Sequence, residues 1–333
     1  MTTLPVRRAG GGLLLLFVVW LLALAGTPAL AQSAAAEQVE RQQTQPLNNA
    51  PVWREVRSGE AHFTTVRGPE TNVLIQSEGN TWRLLRNGPV SVYGGILLVV
   101  VPAAIALFFL AKGALKVHGT PTGRTIQRFS TFERIVHWGT AITFVVLAVT
   151  GLAILFGKHL LAPVFGTAFL GLLLTVGKAI HNYVGPLFLL FTVLMIFAFA
   201  RDNIWQAYDA LWIRKAGGLA TGEHVPSGRF NFGEKSWFWL GVTVLGLVVA
   251  ASGLVMDFPN FGQTRETMQW ANIVHATTAI LFMALALGHI YMGTIGVEGA
   301  YGSMKTGQVD EAWAREHHEF WYKDVKAGKS GRP

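Results

Sequence analysis

The chain has 333 residues, of which 51% are hydrophobic and 14% charged, against roughly 25% charged in an ordinary soluble domain. That balance marks an integral membrane protein, and the formal net charge of +8 does not argue for nucleic acid, because the basic residues fall in short loops between apolar runs, as positive cytoplasmic loops do. The absence of cysteine excludes iron–sulfur clusters, covalently attached c-type haem and disulfides.

The first element reads as a leader. Arg7 and Arg8 precede an apolar run from Leu13 to Ala25 and the small residues Ala29-Leu30-Ala31, the pattern of a secretory signal peptide over residues 1–31. An uncleaved anchor helix is the alternative, and either one exports the next segment. Residues 32–92 are polar and too few for a sizeable core. Within them Asn72-Val73-Leu74-Ile75-Gln76 and Thr81-Trp82-Arg83-Leu84-Leu85 flank Glu78-Gly79-Asn80, as the two arms of a small β-hairpin would. The segment docks a partner or serves as a linker.

Apolar runs long enough to span a bilayer come next, at 94–112, 135–157, 179–200, 237–256 and 271–295, giving five membrane helices in the mature chain. The stretch 159–177 is also apolar, but it carries Pro163 and meets the next run with only Gly177 and Lys178 between. Two full spans do not reverse in so short a link, so an interfacial or re-entrant segment is expected there. Lys112, Lys116, Arg124, Arg128 and Arg134 share one side with Arg201, Arg214, Lys215, Arg229, Lys235 and the basic tail, and the other side has little base beyond Lys158, Lys178 and Arg265. By the positive-inside rule the first set is cytoplasmic, which places the tail over 301–333 inside and the exported segment in the periplasm.

Four histidines lie inside apolar runs: His137, His181, His275 and His289. Ionisable or ligating side chains at membrane depth are costly and usually functional. His275 and His289 are 14 residues apart, nearly four helical turns and about 21 Å along the axis, on roughly one face. The loop charges put His137 at the depth of His289 and His181 at the depth of His275. Two cross-helix pairs at two depths suit axial ligation of stacked b haems, since neutral imidazole fills both axial positions and leaves none for oxygen. Small residues in these helices, Gly139, Gly151, Gly185, Ser252, Gly253 and Gly288, either admit a macrocycle or serve helix packing. A lone membrane histidine can instead bond a neighbouring helix, and a transporter relays protons through histidines; both readings stay open at this point. His62, His118, His159, His224, His317 and His318 are expected in solvent.

From about Arg124 to Tyr322 the chain resembles the gamma subunit, a cytochrome b, of membrane-bound formate dehydrogenases. The resemblance is carried by Phe132-Glu133-Arg134-Ile135-Val136-His137-Trp138, Ala179-Ile180-His181-Asn182-Tyr183, Gly228-Arg229-Phe230-Asn231-Phe232-Gly233-Glu234-Lys235, Val274-His275-Ala276, His289-Ile290-Tyr291-Met292-Gly293 and the tail Ala312-Trp313-Ala314-Arg315-Glu316-His317-His318. It implies an all-α integral membrane fold, a four-helix bundle over residues 124–300, with the span at 94–112 as an extension. It implies two haems b, His181 and His275 holding the iron of the periplasmic-side one and His137 and His289 that of the cytoplasmic-side one. It also implies a quinone, ubiquinone or menaquinone, near His289, Asn231 and Gly233, where the residues taken alone read as a turn and helix entry. The implied partners are a catalytic molybdopterin (Mo or W) subunit and an iron–sulfur subunit, and the implied location is the bacterial inner membrane. A cytochrome b anchor of a hydrogenase or another molybdoenzyme shares the histidine placement.

Overall fold

A computed structural model describes residues 53, 56–58, 78–218 and 221–329. The leader over 1–31 and the first hairpin arm over 72–76 lie outside the described residues. Contacts divide the chain into residues 1–63 with 73–77, and residues 64–72 with 78–333. The second unit holds five helices long and apolar enough to cross a membrane, Gly79–Lys112, Thr131–Leu160, Ala162–Asn203, Phe232–Asp257 and Arg265–Gly296. Each contains one of the five apolar runs read from the sequence.

The first span begins with a correction. The sequence predicts a second hairpin arm over 81–85, but this segment belongs to helix α1 (Glu78–Leu85). Trp82 Nε1 donates to Asn272 Oδ1 at 3.2 Å, a contact with a distant helix that local strand patterning does not register. A π-helical turn, Arg86–Val90, kinks at Gly88 before Pro89 and leads into α2 (Ser91–Lys112). Pro89 lacks the N–H a regular helix would use, which accounts for the kink. Helix α2 packs along the last span, with Gly94 against Ile280 and Phe108 and Phe109 edge-on to Tyr291.

A short strand, β1 (Thr125–Gln127), precedes α3 (Thr131–Leu160). Helix α3 starts at a capping box: the Glu133 amide donates to Ser130 Oγ at 3.3 Å and the Ser130 amide to Glu133 Oε2 at 2.8 Å, so two otherwise orphaned donors are satisfied. The next helix, α4 (Ala162–Phe199), corrects the second expectation. Its one break is at Gly166, with φ 82 and ψ 164, a backbone conformation that favours glycine. The chain therefore reverses between Leu160 and Gly166, and 167–177 continues the span instead of forming a re-entrant piece. Nothing from Thr167 to Gly185 forces a helix to stop, and Leu170 fills the notch left at Gly157, where a methyl group would stand 2.8 Å from Leu170 Cδ1.

A short helix α5 (Ala207–Arg214) and the loop after it lead to α6 (Phe232–Ser236), which winds through a π-helical stretch, Trp237–Leu245, into α7 (Gly246–Asp257). The last span is α8 (Arg265–Tyr291) with a π-helical turn, Met292–Gly296. The tail folds back through α9 (Ala300–Thr306), β2 (Gln308–Asp310), α10 (Glu311–His317) and α11 (Glu319–Lys326). Strand β2 pairs antiparallel with β1, Ile126 opposite Val309, and Val309, Trp313, Ala314 and Trp321 form a small core under it.

Between this cap and the bundle lies a charged seam. Arg128, 3% exposed, donates to the Arg229 carbonyl at 2.8 Å and to Glu234 Oε1 at 3.0 Å, and its guanidinium lies over the rings of Phe129, Phe230 and Trp313. Arg229 pairs with Glu133 at 2.8 Å and with Asp202 at 2.5 Å. Lys235 Nζ pairs with Asp209 Oδ2 at 2.7 Å, both side chains buried. Charges withdrawn from water hold only when paired and hydrogen-bonded, so this seam fixes the position of the 228–235 loop against α3 and the tail.

Candidate functional site

The four bundle histidines meet in the two pairs expected from depth. The rings of His181 on α4 and His275 on α8 have centroids 6.0 Å apart, and those of His137 on α3 and His289 on α8 are 6.2 Å apart. Two imidazoles that share one metal at about 2 Å each stand with centroids roughly 6 Å apart. The pairs thus have the spacing of axial ligands.

Outer hydrogen bonds orient the first pair. His181 Nδ1 lies 2.8 Å from Thr150 Oγ1, and His275 Nδ1 lies 2.9 Å from the Val249 carbonyl oxygen and 3.3 Å from Ser252 Oγ. A carbonyl only accepts, so Nδ1 of His275 carries the proton and Nε2 is left with a lone pair for a metal. The glycines clear room for these rings. A Cβ at Gly253 would stand 3.1 Å from His275 Cε1, and one at Gly151 3.4 Å from His181 Cε1. Gly139 serves packing, its Cα surface lying under the Phe191 ring, while Cβ atoms at Gly185 and Gly288 would meet no close neighbour beyond Asp257 Oδ2 at 3.9 Å from Gly185.

The second pair is held by aromatic contact. His289 stacks on Trp237 at 4.9 Å and 13°, and Trp237 lies flat because Gly241 below it has no side chain. The π-helical stretch that begins at Trp237 is the kind of irregularity often found at functional sites. His137 Nδ1 is buried without a hydrogen-bond partner. Midway between the pairs, seven residues from each histidine of α8, Phe282 packs against Phe144 at 4.8 Å, Trp237 at 5.6 Å and Phe188 at 6.1 Å. Phe282 and Phe188 are buried here, so the space between the two levels is lined by packed aromatic rings.

Asn231 and Gly233 stand where the loop enters α6. Asn231 caps the helix: its Oδ1 accepts from the Glu234 amide at 3.0 Å and its own amide donates to Glu234 Oε2 at 2.8 Å. Asn231 Nδ2 has no partner among the described residues. A Cβ at Gly233 would crowd Asn231 Oδ1 at 3.2 Å and Trp212 at 3.0 Å. The two residues are therefore a real helix entry, and they sit six and four residues before the Trp237 that stacks on His289.

Of the histidines expected in solvent, His118 and His224 are surface residues paired with Glu316 at 2.7 Å and Glu319 at 3.3 Å. His62 lies outside the described residues. His318 is a correction: it is 2% exposed, and its Nδ1 donates to the Gly228 carbonyl at 2.8 Å. The tail folds back on the bundle, which its polar composition conceals. Burial, reinforced by the Arg128 charge, holds the His318 imidazole well below its ordinary value.

Five apolar helices and opposed histidine pairs at two levels define an all-α integral membrane cytochrome b. Residues 128–307, which include all four histidines, match the prokaryotic cytochrome b561 family, and the chain belongs to it. It is 32% identical over 206 residues to the formate dehydrogenase cytochrome b556(fdo) subunit of Escherichia coli (strain K12), covering 61% of this chain and 94% of that one. The nitrate-inducible cytochrome b556(Fdn) subunit of the same strain is 26% identical over 213 residues, 62% of this chain and 94% of its own. The formate dehydrogenase cytochrome b556 subunit of Haemophilus influenzae is 28% identical over 211 residues, 61% and 85%. The first span lies outside the family match.

Thr150, Trp237 and the Val249 carbonyl escape the sequence reading. A backbone carbonyl has no sequence signature, and a threonine or tryptophan in an apolar helix is commonplace.

Proposed function

We propose that this cytochrome b subunit holds two b haems and carries electrons from a periplasmic donor to quinone at the cytoplasmic side of a bacterial inner membrane. The observation that carries the reading is the pair of histidine couples, 6.0 and 6.2 Å between centroids, set 14 residues apart on α8. When bound, a b haem with two histidine ligands supplies one-electron transfer. The chain's own residues do the rest: Thr150, Ser252 and the Val249 carbonyl orient the periplasmic-side rings, and Phe282 with its aromatic neighbours excludes water between the levels. Trp237 holds His289 flat, and Asn231, six residues earlier at the same helix entry, offers its Nδ2 as a donor for a quinone carbonyl, while Gly233 leaves room for the Asn231 cap against Trp212.

The donor in this reading is a formate dehydrogenase complex, in which a molybdopterin subunit oxidises formate and an iron–sulfur subunit delivers the electrons. The curated relatives, all named as formate dehydrogenase subunits, support it. Proton uptake at the cytoplasmic side makes the transfer electrogenic, against a field of about 2.3 kcal/mol per charge per 100 mV.

A pyridine haemochrome assay on the purified complex, wild type beside the four single histidine-to-alanine variants, tests the reading. Two haems b per chain are expected in the wild type and one in each variant. A wild-type count other than two, or a variant that keeps both, overturns it. Co-purification of nickel-enzyme subunits in place of a molybdopterin subunit would overturn the assignment of the donor.

A further inference from the structure

The two histidine pairs differ in what surrounds their outer nitrogens. Thr150 Oγ1, 2.8 Å from His181 Nδ1, already donates to the Val146 carbonyl at 2.8 Å, so it presents only lone pairs to the ring. Ser252 Oγ likewise directs its proton to the Val248 carbonyl at 2.7 Å, and the Val249 carbonyl, 2.9 Å from His275 Nδ1, is an acceptor by nature. Both rings of this pair are therefore fixed as Nδ1–H donors. Gly253 permits the approach on the α7 side, since a Cβ there would crowd His275 Cε1 at 3.1 Å. At the other pair His137 Nδ1 is buried and unpartnered, and His289 rests on the face of Trp237.

This asymmetry has a direct electronic effect. An imidazole that donates its Nδ1–H to an acceptor becomes more basic at Nε2 and a stronger ligand. Stronger donation stabilises ferric over ferrous iron, so the reduction potential falls; hydrogen bonding to the ligands is one of the protein's main levers on a haem.

We propose that Thr150 and the Val249 carbonyl are positioning groups that make the His181/His275 haem the lower-potential member of the two. The inference rests on the di-haem reading above. With both haems held by these histidines, an electron delivered to the His181/His275 pair would run toward higher potential at the His137/His289 pair, a one-electron exchange between the two. The slope of the conduit is thus built into its hydrogen bonds.

Redox titration of the haem absorbance in the purified complex tests it. Thr150→Val removes the acceptor at nearly constant shape, and one midpoint potential should rise while the other stays. A threefold to tenfold change in the ferrous-to-ferric ratio is expected, and tenfold is about 59 mV for a one-electron couple. Thr150→Ser, which keeps the hydroxyl, should return the wild-type value. His137→Ala, which keeps only the His181/His275 haem, identifies the couple: its single potential should match the lower wild-type one. A Thr150→Val protein with both potentials unmoved or lowered, or a His137→Ala protein that retains the higher-potential couple, overturns the proposal. A wild type without two haems overturns the di-haem reading itself, whereas two haems in the opposite order overturn only this inference.

Discussion

Gly253 in the bundle and His318 in the tail show how much can turn on a single residue. A methyl group at Gly253 would press on His275 Cε1 at 3.1 Å, so Gly253→Ala should tilt that ring away from its Val249 contact. On the proposed di-haem reading, the expected outcome is loss of the haem held by His181 and His275, read as a fall from two haems to one while the protein still inserts in the membrane. His318 predicts a pH effect. Because burial depresses its pKa well below 6.5, folding favours the neutral ring. Its contribution is fully present above about pH 6.5 and is lost as the pH falls toward the folded value, since the unfolded tail takes up the proton first. Limited proteolysis of the tail should accelerate between pH 7.5 and 5, and His318→Asn, which keeps a donor without the titration, should flatten that profile. At this scale the four haem-ligand candidates were legible because polar rings stand out in apolar runs. His318 was not, because a polar tail gives no sign that it folds back over a charged seam.

Among the elements, the spans were legible in number but not in extent. Hydropathy locates the part of a helix that lipid covers, whereas α3 and α4 run on past it and turn at Leu161–Gly166, where Pro163 and the positive φ of Gly166 permit the reversal. Hydrophobicity does not encode that turn, and the apolar 159–177 run therefore read as a separate piece. The hairpin expected over 81–85 failed for a related reason: its helical form is fixed by Trp82 reaching Asn272, nearly two hundred residues away. The loop from α5 to α6 depends on the buried Lys235–Asp209 pair. Asp209→Ala would leave an uncompensated ammonium inside, a cost of about 3–5 kcal/mol. The thermal unfolding midpoint in detergent should drop accordingly, and, on the proposed function, quinone reduction should suffer before haem content does, because the Asn231 entry sits on this loop and the histidines do not.

In the whole molecule, a bundle that matches its family over 128–307 carries one further span packed on α8. Gly94 packs tightly against Ile280, and among the described residues no histidine ring contact involves this span. Gly94→Leu should therefore overpack this seam by about 1–3 kcal/mol, lowering thermal stability in detergent while the haem content per chain stays at the wild-type value. A loss of haem in that variant would show that the extra span supports the bundle more directly. Helix α8 carries one histidine of each pair on an unbroken α-helical stretch, and its π-helical turn begins only at Met292. The interval between His275 and His289 accordingly behaves as a phase as well as a length. Inserting or deleting one residue there would rotate one imidazole relative to the other by about 100°, so both pairs cannot remain aligned. This stretch can vary its side chains over time, but its residue count is locked.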